Sequence, residues 1–304
     1  MESLTPEHPR IAYNNQSMSV SETQSFEARR KRASRTLAVV AVLFVVVPFL
    51  FWRGTWFGRS LSEDELGQYI TDTEHPRHNQ HALVQISERI DRGDASVKRW
   101  YPQVVNLAAS PHPEIRVTLA WVLGADTHSE EFHRTLLNLL QDPEPLVRRN
   151  AALSLVRFGD RSGRPELINM LRPYSVHSSA AGTLRYSAKP GDSIESGALL
   201  AKLENPGKDA AELRAPVPGK IQTLLAREGD SVSAGQEILV LSPSSEHAWE
   251  SLRALYFVGA PGDVPEVEQF VKRDASAMDG KIQQQASATL AEILHRSADS
   301  SSVH

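Results

Sequence analysis

The sequence lacks several residues and patterns on which common activities depend. It contains no cysteine in 304 residues, which excludes disulfide bonds, thiolate metal sites and cysteine nucleophiles. It also contains no Gly-x-Ser-x-Gly, phosphate-binding Gly-rich loop, dinucleotide-binding Gly-x-Gly-x-x-Gly or His-Glu-x-x-His pattern. The formal net charge is only -4, so composition gives no general reason to expect a nucleic acid as partner. No catalytic residue is predicted, and the chain is not expected to be an enzyme.

One apolar run stands near the start of the chain. Leu37–Trp52 carries no charge, and Arg35 and Arg53 bracket 17 uncharged positions, which is near the shortest length that spans a bilayer. Its Leu, Val and Phe residues together favour insertion into the bilayer by about 5 kcal/mol. We predict a transmembrane signal anchor over residues 37–57. A buried core helix and a cleaved signal peptide are the alternatives, but the run begins late and no Ala-x-Ala-like site follows it.

Basic residues cluster immediately before this run. Five of the seven residues from Arg29 to Arg35 are Lys or Arg, and the positive-inside rule keeps that side in the cytoplasm. We therefore expect a single-pass inner (plasma) membrane protein of bacterial type, with a cytoplasmic N-terminus and extracytoplasmic, periplasmic C-terminal domains. Residues 1–36 are predicted to form a disordered cytoplasmic tail, and residues 297–304 a second disordered tail.

Two internal similarities define the organisation of the rest. Ser110–Leu123 matches Asp142–Leu155 at an offset of 32, and Ala152–Leu171 matches Leu252–Val271 at an offset of 100. The difference between the offsets, 68 residues, is the size of a small domain. The chain is therefore predicted to contain a repeat array that a second domain interrupts, after which the array resumes.

The repeated segments have helical periodicity. Their pattern Asp-Pro-x-Pro-x-Val-Arg-Arg-x-Ala-Ala-x-x-Leu, starting at Asp142, resembles short HEAT repeats of the phycobilisome-lyase type. The resemblance covers roughly residues 61–174 and resumes over residues 245–296. It implies a helical solenoid that acts as a binding scaffold, because such repeats bury their apolar faces only against stacked neighbours.

Residues 175–244 differ in character, with short alternating strands and Gly-Asp turns. The segment is a tandem of two halves, in which Gly191-Asp192 corresponds to Gly229-Asp230 and Leu203 to Leu241. It resembles the biotinyl/lipoyl-like barrel-sandwich, including the Ala-Pro-x-x-Gly-x-Ile sequence at Ala215. The same fold without a modified lysine occurs in membrane-fusion (periplasmic adaptor) proteins, although their long helical hairpin and flanking β domains are missing here.

Enzymes of this family carry lipoate or biotin on a lysine at the hairpin between the halves. Here that position is Lys208, which has lipoyl-like spacing to Ala215 but lies one residue too far from Leu200. Neither the lipoyl nor the biotin signature surrounds it, and Pro206-Gly207 is typical of an ordinary turn. We therefore expect no cofactor, and keep Lys208 as the cofactor attachment site in the alternative only.

The remaining polar clusters are interpreted conservatively. His75, His78 and His81 recur at three-residue spacing, but their side chains rotate about 60° apart on a helix. With no carboxylate recognised at that spacing, a solvated polar face is favoured and no metal site is predicted.

Arg148 is expected to bond, like Arg116, to a neighbouring repeat turn. The tryptophans are expected to be core residues, at positions 100, 121 and 249.

Together these features predict an α+β protein with an N-terminal transmembrane helix and a HEAT-like solenoid interrupted by an inserted all-β biotinyl/lipoyl-like barrel-sandwich. The expected function is a non-catalytic scaffold or adaptor that docks protein partners of a membrane complex or transporter. The alternative is a lipoyl or biotinyl carrier domain modified on Lys208. An enzyme of unknown type and a chromophore- or metal-binding module that uses the histidines are further alternatives.

Overall fold

The structure, a computed structural model, describes residues 59–207, 209–272 and 280–302. The predicted tail over residues 1–36 and the predicted signal anchor over residues 37–57 lie outside these ranges, as does Lys208. Within the described ranges, no helix combines the length and apolar character needed to cross a bilayer.

The described chain contains a series of α-helices around a β region. Prolines begin three of the helices, at Pro76, Pro113 and Pro145, where a missing N–H costs nothing and the fixed φ suits the first turn. The helices are α1 (Glu63–Thr71), α2 (Pro76–Asp91), α3 (Tyr101–Asn106), α4 (Pro113–Val122), α5 (Glu130–Leu139), α6 (Pro145–Arg157), α7 (Arg164–Asn169), α8 (Ser245–Val258), α9 (Val264–Lys272) and α10 (Gly280–Ser302).

These helices stack side by side, and the stacking continues across the β region. Alternate helices along the chain contact one another in order: α2, α4, α6, α8 and α10. Helix α8 packs against α6 and α7, which precede the β strands in the chain. One apolar cluster joins both sides: Leu167 and Leu171 before the strands, and Leu252, Leu255 and Phe270 after them. The predicted interrupted array is therefore one continuous body.

The β region forms two four-stranded antiparallel sheets. Their orders are β1-β8-β6-β3 and β5-β4-β2-β7, so replacing each strand by its partner in the other half of the tandem converts one order into the other. The strands are β1 (Tyr174–His177), β2 (Gly182–Tyr186), β3 (Ser193–Ile194), β4 (Leu199–Glu204), β5 (Ala211–Arg214), β6 (Gly219–Leu224), β7 (Ser231–Val232) and β8 (Glu237–Pro243). The described strands form two open sheets over one apolar core, so the expected barrel-sandwich is present as a sandwich, and its strands do not close into a barrel.

The two halves of the β domain repeat each other at their Gly-Asp turns. Gly191 and Gly229 have φ angles of 93° and 84°, a region that side chains beyond glycine rarely adopt. The carboxylates that follow accept matching hydrogen bonds: Asp192 from the Lys189 N–H at 3.0 Å, and Asp230 from the Arg227 N–H at 2.8 Å. The internal duplication inferred from the sequence is thus a structural pseudo-symmetry.

Two sequence-based expectations are corrected. Helix α10 continues to Ser302, so residues 297–302 are helical and not part of a disordered tail. Trp121, expected in the core, is 51% exposed. The buried Leu119, Ala120 and Val122 mark the side of α4 that faces the core, and Trp121 lies on the opposite side of that helix.

Candidate functional site

The turn between β4 and β5 is where related enzymes carry their cofactor. Strand β4 ends at Glu204 and β5 begins at Ala211; Pro206, Gly207 and Asp209 between them are exposed. The Asn205 side chain donates a 2.6 Å hydrogen bond to the Ala181 carbonyl, which fixes the start of the turn against the neighbouring loop. The turn therefore presents its tip to solvent.

This turn lies at the end of the sheets that is remote from the helices. Strand β1 enters from α7 at Tyr174, which pairs with Leu241 near the end of β8, where the chain leaves towards α8. Both strands have their other ends at His177 and Glu237, near the loop that contacts Asn205. The connections to the array and the β4–β5 turn are consequently at opposite ends of the domain.

The end of the β domain that carries these connections faces the helical array across a groove. Leu146 on α6 packs against the apolar core of the β domain. Beside it is a cavity of about 420 Å³ between the first turns of α4 and α6 and two β-domain turns. Its walls include Pro113, Glu114, Glu144, Ser196, Gly197 and Pro216. Residues from both modules thus form a single concave surface.

Buried charges brace the junction behind this groove. The Arg149 guanidinium on α6 lies 3.1 Å from Nδ1 of His247 on α8 and 3.8 Å from the Glu166 carboxylate. Burial, and then the Arg149 charge, lower the pKa of His247 to about 4, so the imidazole is neutral at physiological pH. Burial also lowers the pKa of Arg149. The contact joins residues on the two sides of the β domain.

Further polar contacts close the array over the insertion. Arg164 on α7 makes a bidentate contact of 2.9 and 3.0 Å with Asp263, which precedes α9. The buried Ser251 hydroxyl donates a 2.6 Å hydrogen bond to the Leu167 carbonyl. These contacts hold α7 to the helices that follow the β domain, and so limit how far that domain can tilt the two parts of the array.

The arginine expected to reach a neighbouring turn does so in one repeat only. Arg116 on α4 binds the Asp142 carboxylate of the next repeat at 2.7 and 2.9 Å, while Arg148 on α6 donates to the carbonyls of Asp142 and Pro143 in its own turn. Arg148 also approaches Glu166 at 3.4 Å. At the offset of 100 residues, the position of Asp142 in the turn before α8 is taken by Ser242, which offers no carboxylate to Arg148.

The histidine cluster differs from its interpretation as a solvated face. His81 is buried and its ring contacts Tyr69, whereas His75 and His78 converge on Asp72, the residue three positions before His75. The sequence pattern does not reveal Asp72, because this residue follows the last residue of α1 while the histidines lie at the start of the next helix, α2. Hydrogen bonding from His78, opposed by burial, holds the pKa of the Asp72 carboxyl below its usual range.

Comparison with known families supports the two-module description. A HEAT-repeat family model matches residues 101–185, and a model described as a biotin-requiring enzyme domain matches residues 173–241. No curated protein matches the chain. The protein thus combines HEAT repeats with an inserted biotinyl/lipoyl-like domain.

Proposed function

We propose that the protein is a membrane-anchored, extracytoplasmic scaffold that docks partner proteins on its HEAT repeats and its lipoyl-like domain. It works without catalysis, as an adaptor or assembly subunit of a transporter or another membrane complex. The observation that carries the proposal is the groove between the first turns of α4 and α6 and the β domain. Solenoid repeats offer extended surfaces to partners, and here the inserted domain supplies a second wall.

The contacts at the junction support a docking role. The β domain is joined to the array by two adjacent strands, Leu146 packs against its core, and Arg149 and His247 link the helices behind it. A surface that is fixed before the partner arrives loses little conformational entropy on binding. A flexible tether would instead favour a carrier that visits several sites.

Site-specific photo-crosslinking tests the docking surface. A photoreactive amino acid placed at the exposed Glu114 or Ser196, on the two walls of the groove, is expected to capture one discrete partner in the native host. The matched control is Glu130, which is exposed at the start of α5 and does not line the groove. Equal capture at all three positions, or capture at none, would overturn the proposed surface.

Topology is tested separately. The absence of cysteine allows single-cysteine variants, so Ser17→Cys and Ser196→Cys each report one side of the predicted anchor. A membrane-impermeant maleimide added to cells with a permeabilised outer membrane is expected to label position 196 and not position 17. Labelling of position 17 alone, or protein recovered entirely in the aqueous fraction, would contradict membrane anchoring with an extracytoplasmic body.

A second function is favoured by one specific observation. Pro206, Gly207 and Asp209, the described neighbours of Lys208 in the sequence, are exposed at the end of the domain away from the helices, where a swinging arm would have room to move. If Lys208 carries lipoate or biotin, the intact mass of the protein from its native host exceeds that of the unmodified chain, and Lys208→Arg removes the difference. An unmodified mass eliminates the carrier function and leaves the scaffold.

A further inference from the structure

The turn between α1 and α2 gathers side chains of a kind that bind metals. Nδ1 of His78 lies 2.6 Å and Nδ1 of His75 lies 3.0 Å from Oδ2 of Asp72. The potential ligand atoms of the three residues all lie within 4.8 Å of one another. Asp72 is the residue immediately after α1, His75 immediately precedes α2 and His78 lies in the first turn of α2, so the connection between the helices brings the three together.

The structure fixes these groups before any ion is bound. The second oxygen of Asp72, Oδ1, accepts hydrogen bonds from the backbone N–H groups of Glu74 and His75 at 2.9 and 3.1 Å. The His78 ring stacks on Tyr69 with its centroid 4.1 Å away and an interplanar angle of 12°. Contacts of this kind hold metal ligands in position, and removing them weakens metal binding by about tenfold or more.

The equivalent turn of a later repeat shows what is unusual here. Asp142 occupies the corresponding turn before α6, and Arg116 of the preceding repeat neutralises it through two hydrogen bonds. Asn79 stands at the position of Arg116 on α2 and bonds only its own turn, donating to the carbonyls of Tyr69 and Ile70. Among the described side chains, the Asp72 carboxylate is contacted by two histidines of its own turn, His75 and His78, where Asp142 is contacted by an arginine.

The donor types select a class of metal. Two imidazole nitrogens and one carboxylate oxygen suit zinc and its neighbours, whereas magnesium and calcium prefer oxygen ligands throughout. Ligand atoms of a tetrahedral zinc site are about 3.3 Å apart. The distances of 2.6 and 3.0 Å from Asp72 Oδ2 to the two Nδ1 atoms are slightly shorter than this, so the carboxylate has to move only a little away from each imidazole to admit the ion. The His75 side chain is 63% exposed, which leaves access for a water molecule as a fourth ligand.

We propose that Asp72, His75 and His78 form a binding site for a divalent transition metal, with Zn²⁺ as the representative ion. The ion takes the place of the protons between the imidazole Nδ1 atoms and the Asp72 carboxylate, and these protons pass to Nε2 of the same rings or to solvent. It links the end of α1 to the start of α2. This site is independent of the docking groove, because none of its three ligands lines that groove.

Titration of the purified full-length protein with Zn²⁺, in competition with a chromophoric chelator, tests the proposal. One equivalent is expected to bind, and His78→Gln, His75→Gln and Asp72→Asn are each expected to weaken binding by about tenfold or more. The control is His128→Gln. The His128 side chain is 92% exposed and its Nδ1 lies 3.6 Å from Asp126, so the two residues form a histidine–aspartate pair outside the three-residue cluster. This variant should bind Zn²⁺ like the parent protein.

Nitrogen NMR gives a readout that a purely structural role would not produce. On addition of Zn²⁺, the Nδ1 resonances of His75 and His78 are expected to shift, because Nδ1 is the atom that faces Asp72 in both residues. Absence of binding to the parent protein, or binding that survives both histidine substitutions, overturns the proposal. His75→Gln keeps the test valid if His78→Gln unfolds, because His75 makes no side-chain cap at the start of α2.

Discussion

The helical array and the β domain differ in how far apart in the chain their stabilising partners lie. In the array, Arg149 contacts His247 and Arg164 contacts Asp263, pairs separated by 98 and 99 residues. In the β domain, the buried apolar residues all lie between Val176 and Leu241. The β domain thus forms its core from its own residues, while the array depends on contacts between residues that precede the β domain in the chain and residues that follow it.

This difference explains how one fold can be inserted into another. Strands β1 and β8 are neighbours, so the chain leaves the array and returns to it at nearly the same place. The array therefore needs no more space at this point than an ordinary turn between paired helices requires. Insertions between such adjacent ends are tolerated because they leave the contacts of the host intact.

The largest expected effect comes from breaking the core that joins the two sides of the insertion. Leu252 is fully buried in that cluster, so Leu252→Ala is expected to reduce the free energy of unfolding by about 2–5 kcal/mol. Urea unfolding followed by circular dichroism measures the change. The matched control, Leu294→Ala at a half-exposed position of α10, should cost less than about 0.5 kcal/mol. Equal costs would show that the cluster does not hold the array together.

A smaller effect is expected inside the β domain. A Cβ atom on Gly219 would stand 2.4 Å from the Ser242 carbonyl oxygen, so Gly219→Ala is expected to cost about 1–3 kcal/mol. At the pseudo-symmetric Gly182 the nearest atom would be 3.0 Å away, and Gly182→Ala should cost less. Thermal unfolding of the two variants compares them. A larger loss in the Gly182 variant would contradict the packing described here.

The polar contacts that link the two parts of the array are expected to contribute less to the free energy of unfolding than the apolar core does. Asp263→Asn weakens the bidentate contact with Arg164 and should cost about 1–2 kcal/mol in urea unfolding. Glu268→Gln, at an exposed ion pair with Lys272 on α9, is the control and should cost less than about 0.5 kcal/mol. If both variants behave alike, the Arg164 contact is only a surface ion pair.

The smallest effect is a dependence on pH. The pKa of His247 is about 4 in the folded chain, below the value of 6.5 for an unperturbed histidine, so acidification protonates the unfolded chain first. The stability that neutral His247 provides is present above pH 6.5 and is lost as the pH falls towards 4. Between pH 7 and pH 5 the parent protein should lose about 1 kcal/mol more than His247→Gln, allowing for partial exposure. Parallel stability curves would contradict this.

Much of the fold could be predicted because it depends on local patterns. The repeat offset that relates Leu155 to Leu255 reflects matching core positions, since both leucines are fully buried. The duplication in the β domain was visible because its Gly-Asp turns demand particular residues. Lys208 remains a prediction, and so do the anchor over residues 37–57 and its orientation.

The polar sites could not be predicted to the same extent. The contact between Arg149 and His247 depends on the packing of α6 against α8, which no local pattern encodes. Asp72, His75 and His78 share a three-residue spacing, but Asp72 follows the last residue of α1 and α2 begins only after His75, so helical periodicity does not relate them. Whether the two sheets close into a barrel depends on pairing between their edge strands, which no local pattern encodes either.

Replacing the β domain tests the continuity of the array most directly. Tyr174 and Leu241 are already paired across β1 and β8, so a short Gly-containing turn can join them in a variant without the β domain. We predict that this variant retains the helical circular dichroism signal. We also predict that Leu252→Ala still lowers its stability by about 2–5 kcal/mol in a single cooperative transition. Loss of the helical signal, or separate unfolding of the segments before and after the junction, would contradict a continuous array.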